Sequence, residues 1–258
     1  MTSPDTSRSL DREDREIYEW QMWIDEFGER GQRKLKNASV LVTRCGGLGG
    51  IVAYELAAAG IGKLVLAHAG SIKRSDLNRQ LLMSYGRLGT SRMDSIVAKL
   101  RDFNPRVDVA GHEVNIDTEN ASDLVGAVDL VVDCAPRFEE RFALNRAVVT
   151  QGKPMIECAV YEFDAQMTVI LPGRTPCLQC LYPQPPRHWR REFPIFGAVS
   201  GSLGSMAAME AIKVLSGVGT PLAGRLLSYD LKSMRFQTLE IERSPECEVC
   251  ALQARDNR

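Results

Sequence analysis

Residues 39–67 read SVLVTRCGGLGGIVAYELAAAGIGKLVLA, and this stretch decides the fold. The short β-branched run at 39–43 suits a buried strand, Gly46, Gly47, Gly49 and Gly50 suit a tight turn, and the alanine-rich 51–59, closed by Gly60 and Gly62, suits a helix. A second apolar run at 63–67 supplies the next strand. Strands separated by helices make a parallel sheet. In such a strand–turn–helix unit, glycines let the backbone approach an anion, and the first amides of the helix face it.

The same alternation continues outward. Helices are expected at 93–102, 139–150 and 203–215, parallel strands at 106–110 and 128–133, and further strands at 154–159, 166–171, 225–229 and 236–241. Upstream, 14–35 has helical spacing, with Ile17, Trp20, Ile24 and Phe27 on one face, and Met206, Met209, Ile212 and Leu215 are spaced as the core face of a later helix. The organisation read from this is a flexible tail at 1–16 and a single domain at 17–258, including a zinc-bound flap (177–194 with 247–250).

Composition bounds the function. The 258 residues carry 32 basic and 33 acidic side chains, so the strong basic excess of a general nucleic-acid or acidic-membrane binder is missing. The first sixteen residues are polar where a signal peptide is apolar, and no apolar run reaches about 18 residues, so a cytoplasmic chain is expected. At 28.6 kDa folding can bury roughly 30,000 Å², enough for a full core without disulfides.

Seven cysteines are many for such a chain, but four stand as Cys177-x-x-Cys180 and Cys247-x-x-Cys250. In a reducing compartment paired C-x-x-C motifs read as zinc ligands, and four thiolates leave no open position, so the zinc would be structural. Cys134 and Cys158 read as small buried hydrophobes. Cys45 reads as packing too, although a neighbouring Arg44 and a helix N-terminus could lower its pKa. Arg187, His188, Trp189, Arg190 and Arg191 form a basic, aromatic patch, read as a solvated flap or a docking surface for an acidic partner. His68 and His112 read as isolated core or surface residues.

Four motifs lie in register with the turn: Gly46-Gly47-Leu48-Gly49, then Ser75-Asp76-Leu77-Asn78-Arg79-Gln80, then Asp129 to Cys134, then Gly204 to Lys213, all between and around the cysteine pairs. This ordered set, from about residue 18 to 250, resembles the ThiF/MoeB family of the ubiquitin-activating (E1-like) enzyme superfamily. The resemblance implies a Rossmann-like α/β fold: a mostly parallel sheet flanked by helices, antiparallel C-terminal strands and a tetra-cysteine zinc knuckle. It also implies a homodimer, or a heterodimer with an active family member. The activity implied is MgATP-dependent adenylation of the C-terminal glycine of a ubiquitin-like sulfur-carrier protein, or of a peptide or small carboxylate. Gly46, Gly47, Leu48, Arg79, Gln80 and Arg92 fall at the nucleotide-binding positions, with Arg79 and Arg92 as the catalytic candidates if the site is active.

The sequence departs from that pattern where the chemistry resides. Arg44 replaces the first glycine of the nucleotide loop, and His68-Ala69-Gly70 replaces the acidic triplet whose first carboxylate meets the ribose. Arg92 stands for the phosphate lysine, Pro136 for the magnesium aspartate, and Trp20 for the arginine that reaches a partner's ATP. An arginine acting on transition-state phosphate charge is worth about 10³ to 10⁵ in rate, and one stabilising donor about 10² to 10³. A degenerate ATP site and a non-catalytic, partner-binding role are therefore expected. The alternative is an adenylyltransferase with a rebuilt site, Arg44 and Arg92 on the phosphates and Asp133 or Asp76 on the metal. A nicotinamide-dependent oxidoreductase ranks last, for want of an acid at the end of the second strand.

Overall fold

Three short helices, α1 (Arg12–Ile17), α2 (Glu19–Met22) and α3 (Gly28–Asn37), lead into β1 (Ser39–Thr43). The computed structural model describes residues 8–186 and 192–251. The glycine turn joins β1 to α4 (Gly49–Ala58) and β2 (Lys63–Ala67), and a long crossing reaches α5 (Arg92–Phe103) and β3 (Asp108–His112). Next come α6 (Ala121–Gly126), β4 (Leu130–Asp133), α7 (Phe138–Gln151), β5 (Met155–Tyr161) and β6 (Asp164–Ile170). The rest is α8 (Leu178–Leu181), α9 (Gly197–Ser216), β7 (Arg225–Asp230) and β8 (Arg235–Glu240).

The eight strands form one sheet in the order β3-β2-β1-β4-β5-β6-β7-β8. Pairings among β1 to β5 are parallel, and those from β5 through β8 are antiparallel, matching the expected class. The strand order reverses at β1, between β2 and β4. Such a switch point opens a crevice at the carboxyl ends of the strands.

The central strands are apolar throughout because both of their faces are covered. Val40, Val42, Leu64, Leu66, Leu130 and Val132 enter one core with residues of α4, α5 and α9. Leu41, Val65 and Val131 enter the other with α6, α7, Leu178 and three of the paired cysteines. Helices α4 and α9 approach closely through Gly204, where a Cβ would come within 2.8 Å of the Ile51 Cβ.

Several expectations need correction. Residues 8–16 of the expected flexible tail are docked: Asp11 caps α1, and Asp14, only 2% exposed, pairs with Lys36 and Arg106. The stretch of helical spacing at 14–35 falls across three short helices, with Gly28 at φ +52° where α3 begins. Its apolar stripe does not face a core: Phe27 is buried, whereas Ile17, Trp20 and Ile24 are exposed. On α9 the fully buried positions are Leu203, Ala207, Ala208 and Ala211; of the expected core face, Met206, Ile212 and Leu215 pack half-buried against this core and Met209 is exposed. Small residues face inward there because the α4–α9 approach leaves no room for methionine. Strand β3 also begins two residues later than expected, at Asp108.

Candidate functional site

A cleft of about 820 Å³ opens at the switch point. It brings together Gly46, Gly47 and Leu48 of the turn with Arg79, Gln80 and Arg92 of the crossing, six positions separated in sequence but lining one space. A Cβ at Gly47 would lie 3.0 Å from Ser200 Oγ and 3.2 Å from Arg79 Cγ, so the turn is held tightly against the crossing. Val160, Phe163, Ile195 and Phe196 supply an apolar wall. Trp20 is not among the described residues lining the cleft of its own chain.

Arg44 sits at the head of the turn with φ +52°, the left-handed region that favours glycine. Its guanidinium is buried and forks onto Glu140 near the start of α7, Nε to Oε2 and Nη2 to Oε1 both at 2.6 Å. Arg137 donates to the same carboxylate at 2.7 Å. Burial works against ionisation of Glu140, but these two arginines outweigh it and hold its pKa below the ordinary value.

Arg92 is spent in the same way. Its Nη2 and Nε lie 2.6 and 3.1 Å from Asp76 Oδ2, while Gln80 Nε2 donates to Asp76 Oδ1 at 2.8 Å. Arg79 donates to the Ser75 carbonyl at 2.6 Å and to Asn78 Oδ1 at 2.9 Å. Asp133, at the end of β4, is fully buried. Its Oδ1 accepts from Thr43 Oγ1 and the Ala135 amide, and its Oδ2 has no hydrogen-bond partner. Desolvation raises its pKa, so burial disfavours the anion that a metal ligand requires.

Three buried polar atoms on cleft residues lack hydrogen-bond partners, His68 Nδ1, Gln80 Oε1 and Arg141 Nε. Burial, with Arg92 and Arg44 nearby, depresses His68 to about 4, so its imidazole is neutral at physiological pH. In the cleft wall, Arg141 pairs with Glu157 and donates to the Cys158 carbonyl at 2.9 Å. Desolvation pushes Glu157 up to about 7 despite Arg141. Cys45, Cys134 and Cys158 are all buried, and burial raises each thiol, Cys45 to about 12. The packing reading of these three stands over a reactive Cys45.

Away from the cleft, the Sγ atoms of Cys177, Cys180, Cys247 and Cys250 lie within 4.8 Å of one another. The pairs Cys177–Cys247, Cys180–Cys250 and Cys177–Cys180 are 3.6, 3.5 and 4.0 Å apart. A tetrahedral centre with Zn–S bonds of about 2.3 Å has edges of about 3.8 Å. The donor set therefore fits a four-thiolate metal ion. Arg243 braces it from the C-terminal side, donating to the Gly173 and Cys250 carbonyls at 3.1 and 2.6 Å. The basic patch Arg187–Arg191 lies outside the described residues.

Sequence reading missed the partners: Glu140 for Arg44, Asp76 for Arg92, and Glu157 for Arg141. These pairs span 96, 16 and 16 residues. No local periodicity encodes such contacts.

The family model described as ThiF family matches residues 18–249. The chain belongs to the ThiF family. Protein HesA of Leptolyngbya boryana is 44% identical over 235 residues, 91% of this chain and 85% of that one. The sulfur carrier protein adenylyltransferase of Thermus thermophilus is 38% identical over 254 residues, 95% of this chain and 92% of that one. Among solved structures, E. coli MccB with ATP superposes with a TM-score of 0.78 at 26% identity, covering 86% of this chain and 69% of that chain. This ThiF-family chain thus shares its fold and much of its sequence with adenylyltransferases. No helix among its described residues is long and apolar enough to cross a membrane.

Proposed function

We propose that this protein is a non-adenylating (pseudo-E1) member of the ThiF family that uses the shared fold to bind a partner in a sulfur-carrier or biosynthetic pathway. One observation carries the reading: the groups that would have to replace the missing MgATP ligands are already engaged with one another. Arg44 is forked on Glu140 and Arg92 on Asp76, and Asp133 is enclosed by Thr43 and the Ala135 amide. Freeing either arginine for phosphate would strand a buried carboxylate, which costs about 3–5 kcal/mol, and desolvation, which raises the pKa of Asp133, works against its serving magnesium as an anion. The residues present do not fit a magnesium ion held in the family's manner.

The cleft itself is kept, and unpaired His68 Nδ1 and Gln80 Oε1 favour its still receiving a polar ligand. In this reading the four cysteines hold a structural zinc. Exposed Ile17, Trp20, Trp23 and Ile24, with the two indoles stacked at 6.0 Å, support association with a second subunit, either a copy of this chain or an active relative. The partner class is a ubiquitin-like carrier or a peptide.

The test is to incubate zinc-loaded protein with α-labelled MgATP and carriers ending in Gly-Gly, alongside the Thermus adenylyltransferase as positive control. Neither pyrophosphate release nor AMP transfer is expected from this chain. Stoichiometric AMP transfer to a carrier C-terminus would establish the rebuilt-site enzyme instead.

A further inference from the structure

Asn145 lies on α7 with its side chain completely buried beside the four-cysteine cluster. Its Oδ1 accepts the Leu178 amide at 2.9 Å, fixing the residue immediately after the first cysteine of the set. Its Nδ2 is buried and has no hydrogen-bond partner, while the anchored Oδ1 places the side chain near enough to Cys177 to favour that thiol's anion. A buried amide left without an oxygen acceptor is costly. A thiolate is an anion, and when a metal is bound the sulfur remains a charged acceptor that an N–H can stabilise.

We propose that Asn145 is a positioning residue of the metal centre: one end of its amide holds the Leu178 backbone, and the other donates to the metal-bound Cys177 thiolate. The inference rests on the four-thiolate reading of the cysteine cluster and is independent of whether the cleft adenylates anything. It also gives α7 a second task, because the same helix carries Glu140, which holds Arg44, and Arg141, which pairs with Glu157. Between the knuckle and α7, Phe138 and Tyr182 pack edge-on at 5.2 Å. Metal site and cleft therefore share one rigid strut.

Asn145→Asp separates this role from simple packing. It keeps an oxygen for the Leu178 amide and removes the N–H donor to sulfur. Zinc affinity, measured by competition with a chromophoric chelator, is expected to fall by about 10- to 100-fold, with a shifted sulfur-to-metal charge-transfer band in the cobalt-loaded protein. A merely structural role would destabilise metal-free and metal-loaded forms alike and leave affinity and spectrum unchanged, which would overturn the proposal. If the variant does not fold, the wild-type protein loaded with ¹¹³Cd decides. Scalar coupling from cadmium to an Asn145 side-chain amide proton is expected, and its absence with the other amide couplings resolved would contradict the assignment.

Discussion

Arg44 and Glu140 stand 96 residues apart and meet through two N···O contacts of 2.6 Å inside the protein, one from the glycine turn and one from α7. The arginine accepts a left-handed backbone to make them. For a residue other than glycine this costs about 1–3 kcal/mol. A side chain fixed at both its backbone and its charge is built into the turn, at the position where the ThiF/MoeB resemblance implies a glycine.

Arg44→Gly is expected to relieve the backbone and still destabilise the protein. Breaking one side of a buried pair costs about 3–5 kcal/mol, and Arg137 compensates Glu140 only in part, from a more exposed position. The net loss should be about 1–3 kcal/mol by urea denaturation. Arg44→Gly combined with Glu140→Gln should be more stable than Arg44→Gly alone, because no carboxylate is stranded. Strict additivity of the two substitutions would contradict the pairing.

Removing the metal should affect stability before anything else. The purified protein is expected to carry one zinc per chain, and a strong chelator or Cys180→Ser should lower the midpoint of thermal unfolding, since Cys177 and Leu178 are part of the second core. Metal analysis combined with calorimetry checks this. A metal-free protein of unchanged stability would argue against a structural centre.

The buried imidazole gives the acid limb a definite sign. His68 is depressed from 6.5 to about 4 by burial, so between those values the unfolded chain takes up a proton that the folded one refuses. Stability from this group is complete above pH 6.5 and falls as pH drops towards 4, by up to roughly 3 kcal/mol at about 1.4 kcal/mol per unit. His68→Gln should flatten that limb when stability is measured against pH. An acid limb as steep as that of the wild type would mean that His68 is protonated in the folded protein.

Glu157 works in the opposite direction. With its pKa raised from 4.5 to about 7 by desolvation, the folded protein holds a proton that the unfolded chain has lost, so stability declines as pH rises across that window. Glu157→Gln should therefore gain on the wild type between pH 5 and pH 8. A stability difference that does not change with pH would show that Glu157 is ionised throughout.

Much of this architecture was legible because period and punctuation are local properties. The strands β1 and β2 lie where 39–43 and 63–67 place them, and the cysteine pairs converge as their spacing implies. The N-terminal face was misread because helical spacing marks an apolar stripe without saying whether a core or another surface covers it. Trp20 and Trp23 are 79% and 65% exposed in the isolated chain. On α9 the close approach to α4 selects alanine and glycine for the innermost positions, so Met206, Ile212 and Leu215 pack at the edge of the core and Met209 is exposed. In the cleft, the substituted positions were visible in the sequence, but the commitment of Arg44 and Arg92 to partners and the full burial of Asp133 depend on tertiary geometry alone.

The most direct test is thermal unfolding of the zinc-loaded protein with millimolar ATP, once with magnesium and once with no magnesium added. A ligand at about 100 times its dissociation constant adds about 2.7 kcal/mol, or roughly 5–10 °C for a chain of this size. The account predicts no magnesium-dependent rise in the midpoint, whether or not ATP alone binds. A rise of that size that requires magnesium would show that the engaged side chains let go to build a working MgATP site, and would contradict it.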